Sequence, residues 1–81
     1  MENKMMEILK EICSWYNYEI TINQDGSINC YNCKEYDFTY KNLKVALKDW
    51  LITLEETDKD MVYSEEEPMW TEEINFIKNI D

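Results

Sequence analysis

The chain has 81 residues, of which 18 are acidic and 8 are basic, so its formal net charge is −10; every base is a Lys. This length fits one domain, which we expect to span residues 1–81. So few cations exclude a patch that could neutralise phosphates, and we therefore expect no direct binding to nucleic acid and no attraction to an anionic membrane surface.

The first half of the chain predicts one helix followed by three strands. Residues 3–16 carry apolar side chains at helical spacing. Residues 18–23, 27–32 and 36–40 alternate apolar and polar side chains, as half-buried strands do. Asp25-Gly26, between the first two strands, is a two-residue hairpin signal that would give both residues a positive φ. These segments predict an antiparallel meander.

The most regular helical pattern covers residues 41–55, whose apolar side chains recur at i, i+3 and i+4 through three turns. Thr39 is the predicted N-cap, because its hydroxyl can accept a hydrogen bond from an early backbone N–H. Residues 56–69 show no clear period and include Pro68, which predicts a long connection.

A last short helix is predicted over residues 72–80, with Thr71 as its N-cap and two Glu residues in its first turn. The predicted fold class is therefore α+β: a three-stranded antiparallel sheet covered by helices, in the order α-β-β-β-α-α. Such a small fold has a thin core, to which the three Trp, six Tyr and two Phe contribute large buried areas.

The three cysteines allow a metal site to be considered. Cys30-x-x-Cys33 is half of a zinc-ribbon motif, but Cys13 is the only other thiol and the chain has no His. A zinc site would need a carboxylate or a second chain as a further ligand. We therefore expect no metal and no cofactor, and we interpret the cysteines as small buried apolar residues.

Residue types needed for catalysis are scarce. Without His the chain lacks the commonest general base, and with one Gly it lacks a phosphate-cradling loop. We expect that the protein is not an enzyme. The charged, amphipathic N-terminus does not read as a secretory signal, and three thiols suit a reducing compartment, so the sequence predicts a cytoplasmic protein.

The acidic residues are concentrated near the C-terminus. Residues 55–81 hold ten acids and two Lys, a net charge of −8, whereas residues 1–54 hold eight acids and six Lys, a net charge of −2. One interpretation is a solvated edge that only aids solubility. The other is that these acids create a negative field that steers and holds a Lys/Arg-rich partner. Crowded like charges oppose compactness, so their concentration in one segment favours this functional interpretation.

The partner-binding hypothesis includes an aromatic side chain, because Tyr63 follows Met61 and Val62 as a short apolar island that suits a binding hot spot. The alternative is that this island tucks against the last helix. The predicted partner-binding residues are Glu55, Glu56, Asp58, Asp60, Tyr63, Glu65, Glu66, Glu67, Glu72 and Glu73.

In length, acidity, element order and the acidic stretch before its last helix, the chain resembles the small phage-encoded anti-CRISPR proteins that inhibit Cas9. The resemblance is one of architecture, covers most of the chain and carries over no individual residue. It implies a cytoplasmic inhibitor whose carboxylates stand where DNA phosphates would lie, blocking the basic groove of a Cas nuclease or effector complex. The partner would then be a Lys/Arg-rich nucleic-acid-binding protein.

Two other functions fit the same composition. An immunity protein or antitoxin also uses an acidic face, in that case to plug the cationic active site of a nuclease toxin. A host accessory domain with no inhibitory role would use the acids for solubility alone.

Overall fold

A computed structural model describes residues 2–32 and 36–80 of the chain. The elements are α1 (Glu2–Trp15), β1 (Glu19–Ile22), β2 (Ile28–Asn32), β3 (Tyr36–Tyr40), α2 (Leu43–Tyr63) and α3 (Thr71–Lys78). Their order and the antiparallel sheet confirm the predicted α+β class. By its contacts the chain divides into two compact units, Met1–Ala46 and Leu47–Asp81; the single-domain assignment stays a prediction. None of the helices in the described ranges is long and apolar enough to cross a membrane.

The sheet in the first unit has the order β1-β2-β3, and both pairs of neighbours are antiparallel. Ile20, Cys30 and Phe38 are directly paired, so their side chains share one face. Helix α1 packs on this face, since the Sγ atoms of Cys13 and Cys30 are 3.9 Å apart. The stripe that α1 buries is the one predicted by its spacing, namely Ile8, Leu9, Ile12 and Cys13.

The first hairpin forms where it was predicted, but its turn is of another type. The backbone N–H of Gly26 donates to the carbonyl of Asn23 (3.0 Å), and that of Asn23 donates to the carbonyl of Ser27 (2.9 Å). Of the two predicted turn residues, only Gly26 has a positive φ, 89°. The connection is therefore a three-residue loop with a bulge and not a two-residue turn. Asp25 accepts from the Ser27 hydroxyl (2.6 Å) and N–H (3.0 Å), bonds that lower the pKa of its carboxyl group and hold the turn.

Helix α2 begins after a different cap from the predicted one. The side-chain oxygen of Asn42 accepts a hydrogen bond from the N–H of Val45 (3.0 Å), so Asn42 is the N-cap. The prediction of Thr39 was wrong because its hydroxyl is used within the sheet, where it donates to the side chain of Asn29 on β2 (2.8 Å).

Helix α2 also runs eight residues beyond its predicted end, to Tyr63, so the predicted connection 56–69 was wrong over its first half. The helix has no Gly or Pro in this stretch. Its buried side continues from Leu54 to Asp58, which is buried, and to Met61, which is half-buried. Position 58 lies on the buried side of the helix, where the helical spacing of apolar residues predicts a hydrophobic side chain. Because Asp58 stands there instead, the apolar pattern stops early and the predicted helix was too short.

The C-terminus of α2 is closed by a left-handed residue that is not a glycine. The N–H of Glu66 donates to the carbonyl of Met61 (2.8 Å) and the N–H of Glu65 to that of Val62 (3.0 Å), the paired bonds of a Schellman motif. Glu65 has a φ of 62°. Asn17 has the same φ after α1, but Asn tolerates this conformation far better than Glu does.

We expect Glu65→Gly to stabilise the protein by about 0.5–1 kcal/mol. The change removes a left-handed cost of about 1–2 kcal/mol and adds a backbone entropy cost of about half that size. Urea unfolding followed by far-UV circular dichroism measures the difference. Glu66→Gly is the matched control, since it removes the same charge at a residue without positive φ and should destabilise. Equal effects of the two variants would contradict the assigned motif.

Candidate functional site: the acidic surface of the second unit

The N-terminus of α3 is held by a side chain from α2. Thr71, the predicted N-cap, is instead the first helical residue, and the N-cap Trp70 makes no side-chain capping bond. The carboxylate of Asp58 replaces it: its oxygens accept from the N–H of Trp70 (3.0 and 3.1 Å), and one of them also accepts from the N–H of Met69 (3.2 Å). A negative charge therefore lies at the positive end of the α3 dipole.

The C-terminus of α3 is held in the same way by a cation. The ammonium group of Lys48 on α2 donates to the carbonyl of Ile77 in the last turn (2.8 Å). Lys78 forms an exposed ion pair with Glu55 (3.2 Å). The two α2 charges thus have the signs that complement the α3 dipole: Asp58 contacts the backbone just before the first residue of α3, and Lys48 contacts its last turn, so α2 fixes the position and direction of α3.

The structure separates Asp58 from the other predicted partner-binding acids. Asp58 is only 8% exposed and is engaged with backbone amides, so it has an internal role. Glu73 is half-buried, and the remaining seven are exposed. We call the eight acids other than Asp58 the acidic surface, which consists of Glu55, Glu56, Asp60, Glu65, Glu66, Glu67, Glu72 and Glu73.

The apolar island at the end of α2 is divided by the helix. Met61 is half-buried, whereas Val62 is 58% exposed and Tyr63 is 90% exposed. The alternative that the island tucks against the last helix therefore does not hold for Tyr63. Sequence reasoning missed another exposed apolar side chain of α2 in this unit, Ile52, which is 61% exposed. Its position outside the i, i+3, i+4 stripe of α2 was the available signal.

The cysteines of the first unit are packed as predicted where the structure describes them. Cys13 and Cys30 are both buried, and the thiol of Cys13 donates to the sulfur of Cys30. This hydrogen bond and the burial raise the pKa of the Cys13 thiol, which disfavours the thiolate that metal binding requires. Cys33 lies outside the described residues. Among residues 2–32 and 36–80, no three Cys, Asp or Glu side chains are grouped so as to hold a metal ion.

We expect Asp58→Ala to destabilise the protein by about 1–3 kcal/mol, because it leaves two backbone N–H groups without their acceptor. Asp58→Asn keeps one acceptor oxygen and should lose less. The free energy of unfolding in urea measures both. Asp60→Asn, at an exposed position on the same helix, removes the same charge and should change stability by less than about 0.5 kcal/mol. An equal loss in Asp60→Asn and Asp58→Asn would show that charge alone matters.

The second unit thus carries most of the chain's negative charge on α2, α3 and the residues that connect them. The exposed Tyr63 lies near the middle of the segment from Glu55 to Glu73. Lys59 is the only base between Glu55 and Glu73. No protein-family model, curated protein or solved structure matches the chain.

Proposed function

We propose that this protein binds a Lys/Arg-rich, nucleic-acid-binding surface of another protein through the acidic surface, and inhibits that partner as a nucleic-acid mimic. The partner class we favour is a Cas nuclease or effector complex, which would make the protein a phage-type anti-CRISPR inhibitor acting in the host cytoplasm. In this proposal the protein catalyses no reaction and binds no nucleic acid, membrane or cofactor.

The observation that supports the proposal best is the exposure of the carboxylates in a segment with almost no countercharge. Seven of the acids between Glu55 and Glu73 are exposed. Within the part of the chain that the structure describes, one ion pair involves them, that of Glu55 with Lys78. An exposed pair of this kind contributes little stability, so these charges serve the fold poorly and remain available to a partner.

Helical placement supports mimicry of a regular anionic polymer. Acids at the end of α2, in the short connection and in the first turn of α3 follow one another along a continuous segment, and Asp58 and Lys48 fix α3 relative to α2. Charges held on rigid elements need little ordering when they bind, and ordering is a major cost of association. A basic groove built for phosphates would therefore meet a preorganised set of carboxylates.

Charge removal tests the proposal. The probe is a purified Cas nuclease loaded with guide RNA, with its target duplex as competitor. We expect Glu65→Gln/Glu66→Gln/Glu67→Gln to slow association by at least about threefold at low salt with a smaller change in dissociation, because exposed acids act by steering. The matched control is Glu2→Gln/Glu7→Gln/Glu11→Gln on α1, three exposed acids of the first unit. Surface plasmon resonance measures both rates.

Competition decides between mimicry and other modes. The duplex should displace the protein, and binding should weaken as salt rises, because charges beyond about 10 Å are screened at 0.1 M. Simultaneous binding of protein and duplex to one nuclease would exclude mimicry. Inhibition of a nuclease toxin, with no effect on Cas nucleases, would instead assign the protein as an immunity protein or antitoxin.

A further inference from the structure

We infer that the outward face of α2, formed by Ile52 and Tyr63, docks into an apolar pocket bordered by Lys or Arg on a partner protein. The partner surface would then be amphipathic, not a purely polar phosphate-binding groove. This inference rests on the proposed function, because the same segment carries the acidic surface. It adds a salt-independent contact that nucleic-acid mimicry alone does not require.

The helical geometry aligns the two anchors. Ile52 and Tyr63 are eleven residues apart, which is about three turns and about 16 Å along the axis, so their side chains point in the same direction. Glu56 and Lys59 lie between them at the i+4 and i+7 positions from Ile52 and are also exposed. The result is one continuous stripe on the side of α2 opposite Leu47, Trp50, Leu54 and Asp58, its buried residues in the second unit.

Exposure marks this stripe as unusual within the helix. Single exposed apolar residues are normal on soluble proteins, but among the apolar residues of α2 the two largest exposed fractions both belong to this stripe: 61% for Ile52 and 90% for Tyr63. Val62, 58% exposed, projects about 100° away from Tyr63 around the helix. Tyrosine is suited to this role, because a large ring with few rotatable bonds buries much area at low entropic cost.

Charge complementarity identifies the occupant. Glu55 and Asp60 flank the stripe, and Glu56 lies within it; Lys59, also within the stripe, is the only base among these residues. An anionic lipid surface is repelled by this face. A second copy of the chain would bring another −10 charge against it. A cationic protein surface with an apolar centre satisfies both parts of the stripe at once.

Two synthetic peptides with the same number of Lys residues, and so of equal charge, serve as probes: an amphipathic Lys/Leu helix and a shorter oligolysine. At low salt both should bind. At about 1 M salt, where the screening length is about 3 Å, only the Lys/Leu peptide should remain bound. Equal affinity of the two peptides at either salt concentration would overturn the inference. Isothermal titration calorimetry measures the dissociation constants.

Substitutions assign the contact to the stripe. We expect Ile52→Gln/Tyr63→Gln to weaken binding of the Lys/Leu peptide by about tenfold and to leave oligolysine binding unchanged. Both residues are exposed, and Gln is compatible with a helix, so the variant should fold. Ile22→Thr is the matched control, because Ile22 is 53% exposed in the first unit and Thr is compatible with a strand. An equal loss in the control would overturn the inference.

The outcomes separate this inference from the proposed function. Loss of oligolysine binding in Glu65→Gln/Glu66→Gln/Glu67→Gln, with no effect of Ile52→Gln/Tyr63→Gln on either peptide, would leave the electrostatic function intact and reject the apolar contact. Binding of neither peptide at low salt would reject both. Sedimentation of the free protein as a dimer that Ile52→Gln dissociates would assign the stripe to self-association and overturn the inference.

Discussion

The buried carboxylate of Asp58 organises the second unit of this protein. A helix of eight residues such as α3 is far too short to be stable alone, since isolated helices need roughly 12–15 residues in water. Its backbone ends must therefore be satisfied from elsewhere. Asp58 does this at the N-terminal end and Lys48 at the C-terminal end, and both belong to α2. The short helix thus takes its place and direction from two oppositely charged side chains ten residues apart on a longer one.

The remaining acids of this region, unlike Asp58, are not buried. One carboxylate is drawn inside, where backbone amides compensate its burial. The others stay in water, and their mutual repulsion works against compactness. The unit tolerates them because they lie on the outer sides of elements whose positions are already fixed. Glu65 shows the same tolerance in its backbone, which takes a left-handed conformation that costs energy in any residue but Gly. The segment that we propose as the interface therefore combines two unfavourable features, the repulsion among its carboxylates and the left-handed backbone of Glu65.

The first unit contrasts with this arrangement. Its ionisable thiols are buried against each other, and the pKa of Cys13 is raised. Its first hairpin is closed by Asp25 through local bonds to Ser27. The first unit also has exposed acids and an exposed aromatic side chain, Trp15 (59%), but its seven acids are offset by five Lys. In the second unit eleven acids accompany only three Lys, together with the exposed Tyr63. This division is the reason why we propose the second unit as the part of the protein that meets a partner.

The sequence by itself determined the element order and the fold class. The period-two alternation of the strands and the helical spacing of Ile8, Leu9 and Ile12 are local properties, and they do not depend on what the segment touches. It also determined that negative charge is concentrated between Glu55 and Glu73.

Only the tertiary structure decided which side chains end the helices and which acids are available. Asp58 and Trp70 are twelve residues apart, and Lys48 and Ile77 are 29 apart, so no local pattern connects them. Thr39 looked like a cap because its hydroxyl is close in sequence, yet the neighbouring strand offered it a better partner in Asn29. Side-chain hydrogen bonds form with whichever group the fold brings within reach, and that is set by contacts distant in sequence. For the same reason Asp58, one acid of the predicted site, is buried, while Ile52, which no motif marked, is exposed.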